Sequence, residues 1–156
     1  MIVHIFLNRF LALRIESYGG LLTVPTVLVV DDEPLIRKMV ALILEHDGFC
    51  VLTAGNGIEA IHVSHAHGGA IDLLVSDVRM PLMDGYTLAT ELQAENPALP
   101  VLLMSGFCED QSAASRNRFP ILSKPFSMAS LLRHVHSLLS QEVAVAVGSG
   151  SVPGIT

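Results

Sequence analysis

The sequence predicts an α/β domain built on a parallel sheet with helices on both faces, and three observations lead there. Short runs such as Thr26-Val27-Leu28-Val29-Val30 and Val101-Leu102-Leu103-Met104 are continuously apolar, as strands buried on both sides are, and do not alternate. Such runs are followed by segments with helical spacing, and the pattern recurs with short connections throughout. Several strands end in acidic or polar residues at what would be one rim of the sheet, where open α/β sheets bind ligands.

Taken in order, the first strand covers Thr26 to Val30 and stops at Asp31-Asp32-Glu33. Pro34 then suits the first turn of a helix, where its missing N–H is no loss. Leu35, Ile36, Met39, Val40, Ile43 and Leu44 recur at helical spacing up to Gly48. Phe49 to Ala54 is a second strand and Gly55-Asn56-Gly57 a turn. A second helix carries Ile58, Ala60, Ile61 and Val63 and ends at Gly68-Gly69.

The third strand, Leu73-Leu74-Val75, runs into Asp77, and the loop after it is closed by Pro81 and Asp84-Gly85. Asp84 is a good N-cap for a third helix, Gly85 to Glu95, which Asn96-Pro97 ends. The fourth strand ends at Ser105-Gly106, and a short polar helix is expected within Glu109 to Arg116. Ile121-Leu122-Ser123 forms the fifth strand, Lys124-Pro125 turns out of it, and Leu131, Leu132, Val135, Leu138 and Leu139 stripe the last helix. These elements divide the chain into an N-terminal extension (1–24), one domain (25–141) and a frayed tail (142–156).

The strand ends carry the chemistry. Asp31, Asp32 and Asp77 would converge at one end of the sheet, where a carboxylate pair ~4 Å apart costs about 4 kcal/mol at an effective dielectric of ~20. A cation is therefore required. All-oxygen donors without His or Cys suit Mg²⁺, with Mn²⁺ as an alternative. Lys124 offers a point charge for a phosphoryl oxygen, and Ser105 a hydroxyl. The set suits phosphoryl transfer with one carboxylate, Asp77, as nucleophile.

The motifs Val-Leu-Val-Val-Asp31-Asp32-Glu33-Pro34, Asp77-Val-Arg-Met-Pro81-Leu-Met-Asp84-Gly85, Met104-Ser105-Gly106 and Lys124-Pro125-Phe126 resemble the receiver domain of two-component response regulators, in order from Thr26 to about Ser140. The resemblance implies a flavodoxin-like five-stranded parallel sheet of order 2-1-3-4-5. It further implies Asp77 as phosphoacceptor, Mg²⁺ held by Asp31, Asp32, Asp77 and the Arg79 backbone carbonyl, and Ser105 and Lys124 closing on the phosphoryl group. The donor would be a sensor histidine kinase or a histidine phosphotransfer protein, and the output a changed contact with a downstream protein. The Leu-Ser-Lys-Pro-Phe ending is similar to receivers attached to hybrid sensor kinases.

Two departures stand out. Family members usually carry an aromatic three residues before the Lys, whereas this chain has Ile121, with Phe119 two residues earlier. The segment between Ser105 and Lys124 is also short for the family.

Two other functions compete. An aspartyl-phosphate phosphatase of the dehalogenase type wants a second Asp two residues after the nucleophile, where this chain has Arg79. A receiver-like interaction module that is never phosphorylated would not need the complete acidic pocket. A self-phosphorylating acceptor, not a turnover enzyme, is the expectation.

Bland readings apply elsewhere. Asp84 is assigned to capping, the His62, His65 and His67 group to a solvated helix end, and His134 and His136 to the surface. Cys108 is taken as inert.

Composition sets the limits. The 156 residues suit one domain with a sizeable core, and 51% hydrophobic residues come without the ~20-residue apolar run a bilayer span needs. A net charge of -6 argues against nucleic acid or an anionic membrane as partner and in favour of a protein. Cys50 and Cys108 form no metal or redox spacing and are read as reduced thiols of a cytoplasmic protein.

Met1 to Val24 lacks the basic start and continuous apolar core of a signal peptide. It is left open between a short amphipathic helix, a membrane anchor and a stretch without function in the mature protein. In the last case Gly19-Gly20 would be a translated ribosome-binding sequence, with Val24 or a nearby Leu as the start.

Overall fold

The computed structural model describes residues 24–68, 70–106 and 118–148. The chain before Val24, the short helix expected within residues 109–116, Cys108 and everything past Gly148 lie outside the described residues. The described elements are β1 (Thr26–Val30), α1 (Pro34–His46), β2 (Cys50–Ala54), α2 (Gly57–His67), β3 (Leu73–Asp77), α3 (Gly85–Glu95), β4 (Val101–Ser105), β5 (Ile121–Ser123) and α4 (Met128–Gly148).

The strands form one parallel sheet of order β2-β1-β3-β4-β5. Successive side chains on a strand point to opposite faces, and the apolar runs divide accordingly. Val27, Val29, Leu73, Val75, Leu102 and Met104 pack with Val40 and Leu44 of α1 and Leu131, Val135 and Leu139 of α4. Leu28, Val30, Leu74 and Leu103 face the other way, onto Ala60 of α2 and Leu88, Ala89 and Leu92 of α3. Each inner strand is thereby covered twice, which is why β1, β3 and β4 are buried at every residue.

Local chemistry sets the helix ends. Pro34 opens α1 from Glu33, whose side chain makes no capping bond. Asn56 caps α2 by accepting from Glu59 N, and Gly68 closes it in the left-handed region at φ 65°, where a Cβ would be strained. Asp84 Oδ1 accepts from Thr87 N at 2.8 Å, the N-cap expected of it.

The backbone of the last helix is helical to Gly148. Gln141-Glu142-Val143-Ala144 contains no helix breaker, and valine carries only a small helix penalty. Among the described residues no helix is long and apolar enough to cross a membrane.

Two histidines do more than coat the surface. His136 Nε2 lies 2.7 Å from Asp47 Oδ2, and its ring centroid is 5.7 Å from that of Phe49, so it ties α4 to the end of α1. His65 Nε2 meets the Glu95 carboxylate at 2.9 and 3.1 Å, linking α2 to α3.

Candidate functional site

In a 2-1-3-4-5 sheet the connections leave β1 and β3 toward opposite faces, and a crevice opens past their carboxyl ends. Asp31 follows β1 directly and Asp77 is the last residue of β3, with Val30 and Ser76 in register. Topology alone therefore places the two carboxylates side by side. Asp32 is the next residue along, and oxygens of Asp31, Asp32 and Asp77 all lie within 4.8 Å of one another.

Lys124 reaches into this group from the end of β5. Its Nζ donates to Asp31 Oδ2 at 2.7 Å and to Asp77 Oδ1 at 2.8 Å. Asp31 is fully buried and its other oxygen accepts from Glu33 N at 2.9 Å, so both of its oxygens are fixed by the protein. Asp77 keeps Oδ2 without a hydrogen bond among the described residues. Asp32 is exposed.

Burial pushes the Asp77 carboxyl above its ordinary value; the hydrogen bond and charge of Lys124 oppose that rise, and the charges of Asp31 and Asp32 add to it. Burial pulls the Lys124 ammonium down, but its hydrogen bonds to Asp31 and Asp77 outweigh this and leave it raised. Three carboxylates against one ammonium leave an excess of two negative charges, and a carboxylate pair at this spacing repels by about 3–4 kcal/mol at an effective dielectric of ~20. Hard oxygen donors with that excess fit a divalent cation such as Mg²⁺ or Mn²⁺.

Ser105 ends β4 and is buried. Its carbonyl accepts from Lys124 N at 2.7 Å, which fastens the two strand ends, while its hydroxyl donates to Gly106 O at 3.0 Å. Ser105 is thus beside the carboxylates with its hydroxyl turned along its own loop. Arg79 lies two residues past Asp77, with an exposed side chain.

Phe119 and Ile121 differ in burial. Phe119 packs in the core, its ring centroid 6.5 Å from that of Tyr86, with the Arg118 guanidinium 5.1 Å over it. Ile121 is only partly buried and pairs with Leu103.

Residues outside the expected set shape the site. The loop after Asp77 turns sharply at Leu82, which sits at φ 71°, a conformation costing a non-glycine residue about 1–2 kcal/mol. The turn brings α3 back so that Gly85 N donates to Val78 O at 2.9 Å. A Cβ on Gly85 would stand 2.2 Å from the Asp77 carbonyl oxygen and 3.2 Å from Ser76 Oγ, which itself donates to that oxygen at 2.9 Å. Glycine is required there for closeness, since its φ is ordinary.

Gly85→Ala should therefore destabilise the fold. A helical position would ordinarily favour Ala by up to about 1 kcal/mol. Overlap with a backbone atom outweighs this, for a net loss of about 1–3 kcal/mol in urea unfolding, and the urea midpoint should fall. An unchanged midpoint would mean that α3 can retreat without cost.

Residues 27–136 match the response regulator receiver domain. The chain belongs to that family. This receiver domain is 37% identical over 134 residues to the sensor kinase CckA of Brucella abortus, covering 83% of this chain and 14% of that protein. It is also 37% identical over 129 residues to the probable transcriptional regulatory protein TcrX of Mycobacterium tuberculosis, covering 81% and 54% respectively. The chain thus spans about half or less of the length of these curated relatives. Among solved structures, a response regulator receiver protein from Sinorhizobium medicae superposes with a TM-score of 0.71 at 31% identity, over 78% of this chain and 99% of that one. The sheet order 2-1-3-4-5 is the flavodoxin-like arrangement shared with such receivers.

Proposed function

We propose that this receiver domain accepts a phosphoryl group on Asp77 from a phosphohistidine of a sensor kinase or histidine phosphotransfer protein, and that the modified site changes a contact with a downstream protein. The observation that carries this reading is Lys124 bridging Asp31 and Asp77 with a third carboxylate, Asp32, beside them. Asp31, Asp32, Asp77 and the main-chain carbonyl of Arg79 would hold Mg²⁺, with Mn²⁺ able to replace it. Such an ion would supply positive charge to offset the negative charge that develops on the transferred phosphoryl group.

The protein's own groups do the rest. Asp77 Oδ2 attacks phosphorus in line as the P–N bond of the phosphohistidine breaks, and the departing imidazole keeps the electron pair and takes up a proton. Lys124 stays within reach of the new acyl phosphate, and the Ser105 hydroxyl has only to rotate away from Gly106 O to donate to it. The phosphorylated residue carries about -1.5 to -2 charges at a buried strand end, and that charge biases the loops after β3 and β4. Transfer is stoichiometric, one phosphoryl group per chain, without turnover.

Incubation with Mg²⁺ and acetyl phosphate followed by intact mass is expected to show the gain of one phosphoryl group, abolished by EDTA. No adduct would favour an unphosphorylated interaction module. Steady hydrolysis of small phosphate esters would favour a phosphatase.

A further inference from the structure

Arg37 stands next to the acidic loop and has no part in the scheme above. Its Nη1 donates to the main-chain carbonyl of Asp31 at 2.6 Å. The pairing of β1 with β2 ends at Val30 and Ala54, with a last long bond of 3.3 Å from Asp31 N to Ala54 O. The Asp31 carbonyl therefore lies beyond the ladder in a fully buried residue, where a lost partner is costly. Arg37 supplies that partner from the first turn of α1, where the helix dipole disfavours a cation, so local helix energetics do not explain it.

The guanidinium lies against the turn that follows β2. A Cβ on Gly55 would lie 3.3 Å from Arg37 Nη1 and 3.2 Å from Glu59 Oε2, while Glu59 Oε2 accepts from Gly55 N at 2.7 Å. Opposite charges thus flank the turn after β2, at the same rim of the sheet. Through this clamp the backbone of Asp31 is fixed, and with it the direction of its carboxylate and the start of Asp32.

We infer that Arg37 is a positioning residue for the divalent-cation site: by gripping the Asp31 carbonyl it aims the Asp31–Asp32 pair at the ion. This rests on the reading that the three carboxylates hold such an ion. The test is titration of the full chain with Mn²⁺ alone, followed by electron paramagnetic resonance, with thermal unfolding of each protein measured without metal. The parent should bind one Mn²⁺, and Arg37→Met should weaken binding about 10-fold, as loss of a group that orients metal ligands typically does. Arg37→Lys, which keeps one donor and the charge, should recover part of that loss.

A folded Arg37→Met that binds Mn²⁺ like the parent overturns the inference, even if it melts earlier, and leaves the three-carboxylate reading intact. A parent that binds no Mn²⁺ overturns both. Should Arg37→Met not fold, Arg37→Lys with parental Mn²⁺ affinity overturns the inference, and weakened affinity supports it.

Discussion

Asp77→Asn is expected to gain no phosphoryl group from acetyl phosphate and, without metal, to unfold at a higher temperature than the parent. The first effect follows from removing the only nucleophile proposed at the strand end, and it should be complete by intact mass. The second follows from what the carboxylate costs the fold. Its ionisation is raised above 3.8, first by burial, with Asp31 and Asp32 adding to a rise that Lys124 only partly opposes.

The sign is that of an acid harder to ionise when folded. As pH climbs past the unfolded value, the unfolded chain has already released this proton while the native chain still holds it, so native stability falls through that window and stays lower above it. An Asn of the same shape still accepts from Lys124 and carries no charge to desolvate. The difference in melting temperature between Asp77→Asn and the parent should therefore be small at acid pH and widen toward neutrality. A variant that melts below the parent at neutral pH in the absence of divalent ions would show that the Lys124 contact outweighs burial and the repulsion of Asp31 and Asp32.

The parts of this site that the sequence discloses are those whose position depends on a single element. Asp31 and Asp77 stand at the ends of apolar strand runs, and in a parallel sheet all such ends share a rim, so their convergence could be read before any packing was known. Strand order could not, because helix-strand alternation is compatible with several orders; it came from resemblance to a family and is now observed.

Contacts made across long sequence separations were equally hidden. Nothing around His136 marks Asp47 as its partner, and nothing around Gly85 reveals that the Asp77 carbonyl leaves no room for a methyl group. Arg37 did leave a trace, since an arginine in the first turn of a helix that follows three acids opposes the helix dipole and calls for a tertiary partner. Ser105 was placed at the right strand end, yet its hydroxyl direction depends on a rotor that sequence does not fix.

Lys124→Met should cost about 3 kcal/mol of stability, because it strands two carboxylates that the native fold has already taken out of water. Asp31 has no exposed surface and gives Oδ2 to this ammonium, and Asp77 gives Oδ1. With roughly 2–4 °C lost per kcal/mol at this size, the melting temperature should fall by about 10 °C. Protonation limits the damage, since a buried carboxylate without a partner neutralises instead of staying charged. The loss should accordingly shrink as pH is lowered.

The ammonium's own raised ionisation acts elsewhere. It contributes stability that is fully present below its unfolded value and disappears only as pH rises through the still higher folded value, so it does not shape the neutral range. Adding Asp77→Asn to Lys124→Met removes one of the two stranded charges, and the double variant should regain a substantial part of the lost melting temperature. Strict additivity of the two substitutions would mean that Lys124 and Asp77 do not interact energetically despite their 2.8 Å contact, and would transfer the stabilising role of Lys124 to Asp31 alone.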